Sequence, residues 1–324
     1  MATTPLTSQE CVILERYTSL EYFGRMRDAW EATVHYVEGL LERYVQHLPD
    51  GYRNRPLPKQ PDIVWGERVI PNFQDALLRV YDNYIRFSHG DWSRWGGSSI
   101  TNCFRGQSDF WYGWMDEVEE GGSDKYFQLL GVATEFASRI NATGNAAWPQ
   151  GFLGHNYLPS HEDPWERPLV WPRYRLNPTI QVKTGEPVTE PGLYWPEAED
   201  AAVQFLLPSK PEIPRHLATK ARVGLSKSGG QYDHKEPTTW IKVERVPGET
   251  VEDGLANLLE GVTPPQRNVP GGKPCPRTGW WFTPAEKNGP RRHFKHGDTF
   301  PVIEGSSYGD TFWQWSPDQS DPRL

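Results

Sequence analysis

From Phe23 onward the apolar positions fall at Met26, Trp30, Val34, Val37, Leu41, Tyr44 and Leu48, in steps of three and four. That period puts them on one face of a helix. Pro49-Asp50-Gly51 closes it with turn chemistry. Val12, Ile13, Tyr17 and Leu20 predict a shorter helix before it, with Ser8 as candidate cap. Residues 49–71, rich in Pro and charge, read as a connector. Asn72 then caps a helix through Phe73, Leu77, Tyr81, Tyr84 and Ile85, and Gly96-Gly97-Ser98-Ser99 breaks the pattern. A helix over Ser108–Val118 follows, stopped by Gly121-Gly122. Ser123 caps the next, with Tyr126, Leu130, Ala133, Ala137 and Ile140 on one face. Four or five amphipathic helices over roughly 150 residues predict an antiparallel bundle over residues 1–148.

The pattern changes after Trp148. Six prolines interrupt residues 149–178, so no long helix survives there. Trp165, Trp171 and Tyr174 make this a packed crossing segment. From about residue 179 the alternation is strand-like, as in Ile180-Gln181-Val182 and Trp240-Ile241-Lys242-Val243-Glu244.

Residues 179–324 contain an internal repeat. One copy, near 184–244, reads Gly185-Glu186-Pro187 and then Gly192-Leu193-Tyr194-Trp195. The other, near 271–315, reads Gly272-Lys273-Pro274 and then Gly279-Trp280-Trp281-Phe282. Leu206-Leu207-Pro208 is aligned with Thr299-Phe300-Pro301, and Thr238-Thr239-Trp240 with Thr311-Phe312-Trp313. The first copy carries an inserted loop around Ser226–Gly230. Each copy reads as a small meander opened by a Gly-x-Pro turn. Thr250–Leu259, between the copies, predicts one short helix with Thr250 and Asp253 at capping-box spacing. The expected fold class is α+β, a helical bundle followed by two related meanders.

Composition narrows the function classes. The 324 residues include 15 Trp, 14 Tyr and 13 Phe, too many aromatics for a disordered chain. No run approaches the roughly 18 apolar residues of a membrane span. The net charge of −8 excludes a strongly basic nucleic-acid footprint. Cys11, Cys103 and Cys275 are odd in number and widely spaced, so neither a disulfide framework nor a zinc site is expected. No basic segment followed by an apolar run opens the chain, which points to the cytoplasm.

No G-x-S-x-G, H-E-x-x-H, Walker loop or G-x-G-x-x-G occurs. His293-Phe294-Lys295-His296-Gly297-Asp298 reads as a solvated basic turn, and His155, His161, Glu162 and Asp163 as a loose cluster in the crossing segment. No cofactor or metal is expected. The unusual stretch is Asp109-Phe110-Trp111-Tyr112-Gly113-Trp114-Met115-Asp116-Glu117-Val118-Glu119-Glu120, four aromatics with five acids and no basic residue before Lys125. It reads either as a core face with a solvated acidic face, or as an aromatic anchor ringed by acids that docks a basic protein. In the second reading the docking residues are Asp109, Trp111, Trp114, Asp116, Glu117, Glu119 and Glu120, extended by Trp92 and Trp95.

Gly272-Lys273-Pro274-Cys275-Pro276-Arg277-Thr278-Gly279-Trp280-Trp281, followed by Gly297-Asp298-Thr299-Phe300-Pro301 and Trp313, resembles the C-terminal region of the immunity protein 71 and 72 families. These are bacterial immunity proteins of polymorphic toxin systems, often linked to type VI secretion. The first copy departs from that pattern, with Val188 where Cys275 stands. The resemblance implies an inhibitor that binds a cognate toxin, not an enzyme. A cytoplasmic inhibitor implies a toxin with a cytoplasmic target, and an acidic one favours a basic toxin. Against this stands a carbohydrate-binding or glycan-active protein, motivated by Trp195, Trp280 and Trp281 as stacking surfaces for sugar rings.

Overall fold

The computed structural model describes residues 4–160, 163–208, 217–223, 234–259, 269–275, 278–286, 291–295, 297–303 and 310–316. The chain divides into two compact units, Met1–Ala256 and Asn257–Leu324. The first joins the helical part to a sheet, and the second holds a sheet of its own. It is an α+β protein with its helices N-terminal.

Helix α1 (Ser8–Tyr17) is capped by Thr7 rather than Ser8. The Glu10 N–H donates to Thr7 Oγ1, and the Thr7 hydroxyl donates back to the Glu10 carboxylate at 3.1 Å. This is a side-chain N-cap with an added hydroxyl–carboxylate bond. Ser19 caps α2 (Leu20–Gln46), accepting from Tyr22 N at 3.1 Å. The period-3.6 face of α2 is buried through Phe23, Met26, Trp30, Val34, Val37 and Tyr44. That face makes α2 the central helix, packed by α1 and by the helices that follow it.

The expected connector at 49–71 is largely helical. Two 3-10 turns (Tyr52–Asn54 and Leu57–Lys59) lead into α3 (Pro61–Val64), a π-turn (Trp65–Val69) and α4 (Ile70–Ser88). Asn72 is therefore inside a helix and caps nothing. Pro71 sits in the first turn of α4, where its missing donor is tolerated, and the π-turn before it changes the hydrogen-bond ladder. Gly96-Gly97-Ser98-Ser99 opens α5 (Ser98–Gln107) instead of only breaking a pattern. Gly97 lies against the Ala137 backbone, where an added Cβ would stand 2.6 Å away, and its N–H donates to Asn141 Oδ1. The helix expected over Ser108–Val118 shrinks to α6 (Trp114–Val118), because residues 108–113 turn. Helix α7 (Gly122–Gly144) follows, its face of Tyr126, Leu130, Ala133, Ala137 and Ile140 wholly buried.

The remaining elements are strands. β1 (Trp171–Lys183) begins within the expected crossing segment. β2 (Gly192–Pro196), β3 (Gln204–Leu206), β4 (Ala221–Val223), β5 (His234–Glu236) and β6 (Thr239–Val251) complete the first unit. The main sheet has the order β1-β6-β2-β3 and is antiparallel, while β4 and β5 pair separately. Pro172 and Pro178 fit in β1 because it is an edge strand, and both lie at breaks in its register with β6. The helix expected over Thr250–Leu259 is not formed. Thr250 pairs with Pro172 at the end of β6, and turns occupy 252–256. Gly254 presses on the Trp171 indole, where a Cβ would meet the ring at 2.3 Å.

The second unit contains β7 (Val269–Pro270), β8 (Gly279–Phe282), β9 (Arg292–Phe294) and β10 (Phe312–Trp315), in the order β7-β10-β8-β9. Order and register match the first sheet. Tyr194↔Lys242 and Trp195↔Ile241 correspond to Trp281↔Trp315 and Phe282↔Gln314. The Gly185 N–H donates to the Ala218 carbonyl as Gly272 does to Phe300. The Trp240 indole donates to the Thr219 carbonyl at 2.7 Å, and that of Trp313 to Pro301 at 2.9 Å. Thr299-Phe300-Pro301 therefore corresponds to Leu217-Ala218-Thr219, not to Leu206-Leu207-Pro208. Each sheet has its own core: Val182, Val188, Tyr194 and Trp240 in one, Val269, Cys275, Trp281 and Trp313 in the other. The insertion around Ser226–Gly230 lies outside the described residues.

Candidate functional site

The aromatic-acidic stretch lies on the helical part of the first unit, and the fold separates its residues by role. Trp114 is fully buried and meets Trp65 and Tyr44 edge-to-face, each at 5.6 Å. Trp95 is also in the core, and half-buried Trp92 packs on Phe87, Trp95 and Phe205 at the seam between helices and sheet. These three indoles are core and seam residues, so they leave the set of docking anchors. Trp111 is half-buried. Its carbonyl accepts from the Trp65 indole at 2.9 Å, and Lys59 stands over its ring.

Three of the acids are committed to the fold. Asp116 caps α7 from outside, accepting from Ser123 N at 2.9 Å and Ser123 Oγ at 2.7 Å. The Ser123 backbone bond, then its hydroxyl, hold the Asp116 carboxyl below its usual range. Glu117 pairs with Arg55 at 3.0 Å and accepts from the Tyr44 hydroxyl. Burial and the Glu117 charge push the Tyr44 hydroxyl up to about 12. Glu119 pairs with Arg43 and accepts from the Tyr36 hydroxyl at 2.7 Å, and these bonds, Arg43 first, lower its pKa. The stretch lacks cations in sequence, but α2 and the 49–60 turns supply them in space. Asp109 and Glu120 are exposed and make no ion pair among the described residues.

The open part of this surface is aromatic. Tyr112 is 45% exposed and Phe127 37%, and their rings meet edge-to-face at 4.8 Å. Phe104 on α5 is 42% exposed. Phe110, from the same turn as Tyr112, also lines a groove of about 310 Å³ between α4 and α5. Val69, Phe73 and Ala76 form its apolar wall, while Arg79, Cys103 and Gln107 bring polar atoms to it. Sequence reasoning missed this groove. Its residues are spread from 69 to 110, and the expected break at Gly96–Ser99 hid the helix that forms one side.

The other candidate clusters resolve into structure. Asp163 is 1% exposed and is held by Arg16 of α1, Arg25 of α2 and Arg139 of α7, with the Tyr22 hydroxyl as a further donor. Burial pushes its carboxyl up, but Arg16, Arg139 and Arg25 outweigh that and hold it below its usual value. His161 and Glu162 lie outside the described residues, as does His296. The His293 ring packs edge-to-face on half-buried Trp280 at 5.3 Å. Of the indoles considered for sugar stacking, Trp195 is 4% exposed, with its N–H on the Thr4 carbonyl, and Trp281 is fully buried. All three cysteines are free thiols, Cys11 and Cys275 buried and Cys103 half-buried. No helix among the described residues is long and apolar enough to cross a membrane.

Comparisons of the chain with protein-family models, with curated proteins and with solved structures return no match.

Proposed function

We propose that this chain is an immunity protein. It binds a cognate bacterial toxin stoichiometrically in the cytoplasm and neutralises it by contact rather than by chemistry. The observation that carries the reading is the exposed Tyr112–Phe127 pair beside an open groove, on a face whose neighbouring acids are tied down by the fold. Large aromatics left in solvent are typical anchors of protein interfaces. The sequence resemblance of the second sheet to the immunity protein 71 and 72 families supports the same reading. We read the two sheets as copies of one module, as their shared order and register suggest.

The glycan-stacking alternative keeps only Trp280 of its three indoles, so we do not favour it. The test is co-expression. A toxin encoded with this chain should arrest growth alone and be harmless beside it, with a one-to-one complex on purification. Tyr112→Ala combined with Phe127→Ala should weaken that complex by about 2–4 kcal/mol, roughly 30- to 1,000-fold in Kd, measured by calorimetry. Unchanged affinity in the double variant would remove this face from the interface.

A further inference from the structure

We propose that the α4–α5 groove receives a linear segment of the partner, one that carries an apolar side chain between an acidic and a basic residue. This rests on the immunity reading and adds the chemistry of the contact.

The groove has a wall of Val69, Phe73, Ala76 and Phe110, which suits one apolar side chain. Asp75 and Arg79 lie along it, one turn apart on α4, and both are exposed. They have the i,i+4 spacing that favours a pair, yet neither makes an ion pair among the described residues. Two unpaired charges of opposite sign beside an apolar wall fit a ligand bearing both complementary charges. Gln107 also lines the groove but is only 4% exposed, with its amide nitrogen donating to the Phe104 carbonyl. The π-turn Trp65–Val69 ends at the groove through Val69, and such turns recur at functional sites.

The groove can be blocked without disturbing the fold. A Cβ added at Gly106 meets nothing within 4 Å, and Gly106 lines the groove. Gly106→Trp therefore enters open space and removes a glycine from a helix, so its melting temperature should equal or exceed that of the parent. Arg79→Glu is a second variant at an exposed, unpaired position. Cys103 gives a native reporter. It lines the groove and is half-buried, whereas Cys11 and Cys275 are buried.

The experiment pans the full chain with a phage library of random linear peptides. The expected peptides carry an apolar residue flanked by opposite charges and slow maleimide labelling of Cys103 at least tenfold. They lose binding to folded Gly106→Trp, and Arg79→Glu changes the acid they select. A library with no peptide sensitive to these variants overturns the proposal. The co-expressed toxin separates the two levels. If the parent protects and folded Gly106→Trp protects with unchanged affinity, the groove is not the contact and the immunity reading stands. If the parent fails to protect, the immunity reading itself fails.

Discussion

Glu10 is a buried carboxyl whose ionisation the fold resists. It is 3% exposed beneath Gly154, and burial raises its pKa to about 7 against the bonds from Thr7 and the Gly151 backbone. A carboxyl raised in the folded state binds more protons there than when unfolded. Its destabilising effect is therefore absent below the unfolded value of 4.5 and complete above about 7. Glu10→Gln should stabilise the chain at pH 8 by about 3 kcal/mol, from the size of that shift, and should change nothing at pH 4. Urea unfolding at the two pH values checks this. Asp163 acts in the opposite direction. Its pKa is depressed, so its contribution is present above the unfolded value of 3.8 and is lost as pH falls through the folded one. Asp163→Asn leaves three guanidiniums without their carboxylate and should cost on the order of 3–5 kcal/mol at neutral pH. Thermal melts read this directly, and a change below 1 kcal/mol would mean that the arginines find other partners. None of this was legible in the sequence. Asp163 stood in a loose His and acid cluster, while Arg16, Arg25 and Arg139 lie far along the chain or on other helices. For the same reason Glu117 and Glu119 read as a free acidic patch. Their partners Arg55 and Arg43 lie more than 60 residues away.

At the scale of elements, period was the reliable signal. The apolar faces of α2 and α7 were legible because each runs for several turns with steps of three and four. Elements shaped by proline or glycine were not. Pro71 concealed a continuous helical path, Gly97 concealed the start of α5, and Pro172 and Pro178 concealed an edge strand. In the two sheets the pattern of turn glycines and tryptophans was legible, but the correct partner of Thr299-Phe300-Pro301 required the hydrogen bonds. That correspondence makes a paired prediction. Trp240→Phe and Trp313→Phe each lose one indole donor to a carbonyl, a loss of about 1–2 kcal/mol apiece. The Thr219 carbonyl keeps the Thr184 hydroxyl as a second donor, so the first loss should be the smaller. Hydrogen exchange should show faster opening of β6 and β2 in the first variant, and of β10 and β8 in the second. Loss of protection in only one of the two sheets, whichever residue is changed, would show that the two indoles do not hold equivalent places.

At the scale of the whole molecule, the division at Ala256 groups the helices with the first sheet in one compact unit. Phe205 of β3 meets Trp92 and Trp95, which is why those indoles serve the seam rather than a partner. Tyr112, Phe127 and the α4–α5 groove, by contrast, are open on the helical part. The central claim is neutralisation through contact at this face. The most direct test is growth of cells expressing the co-encoded toxin with the parent chain, or with the folded Tyr112→Ala, Phe127→Ala variant, alongside the Kd of each complex. The parent should protect fully at one-to-one stoichiometry, and the variant should lose protection with at least 30-fold weaker binding, the lower limit set by about 2 kcal/mol at an interface anchor. Growth arrest that the parent chain cannot relieve, with no complex formed, would contradict the claim.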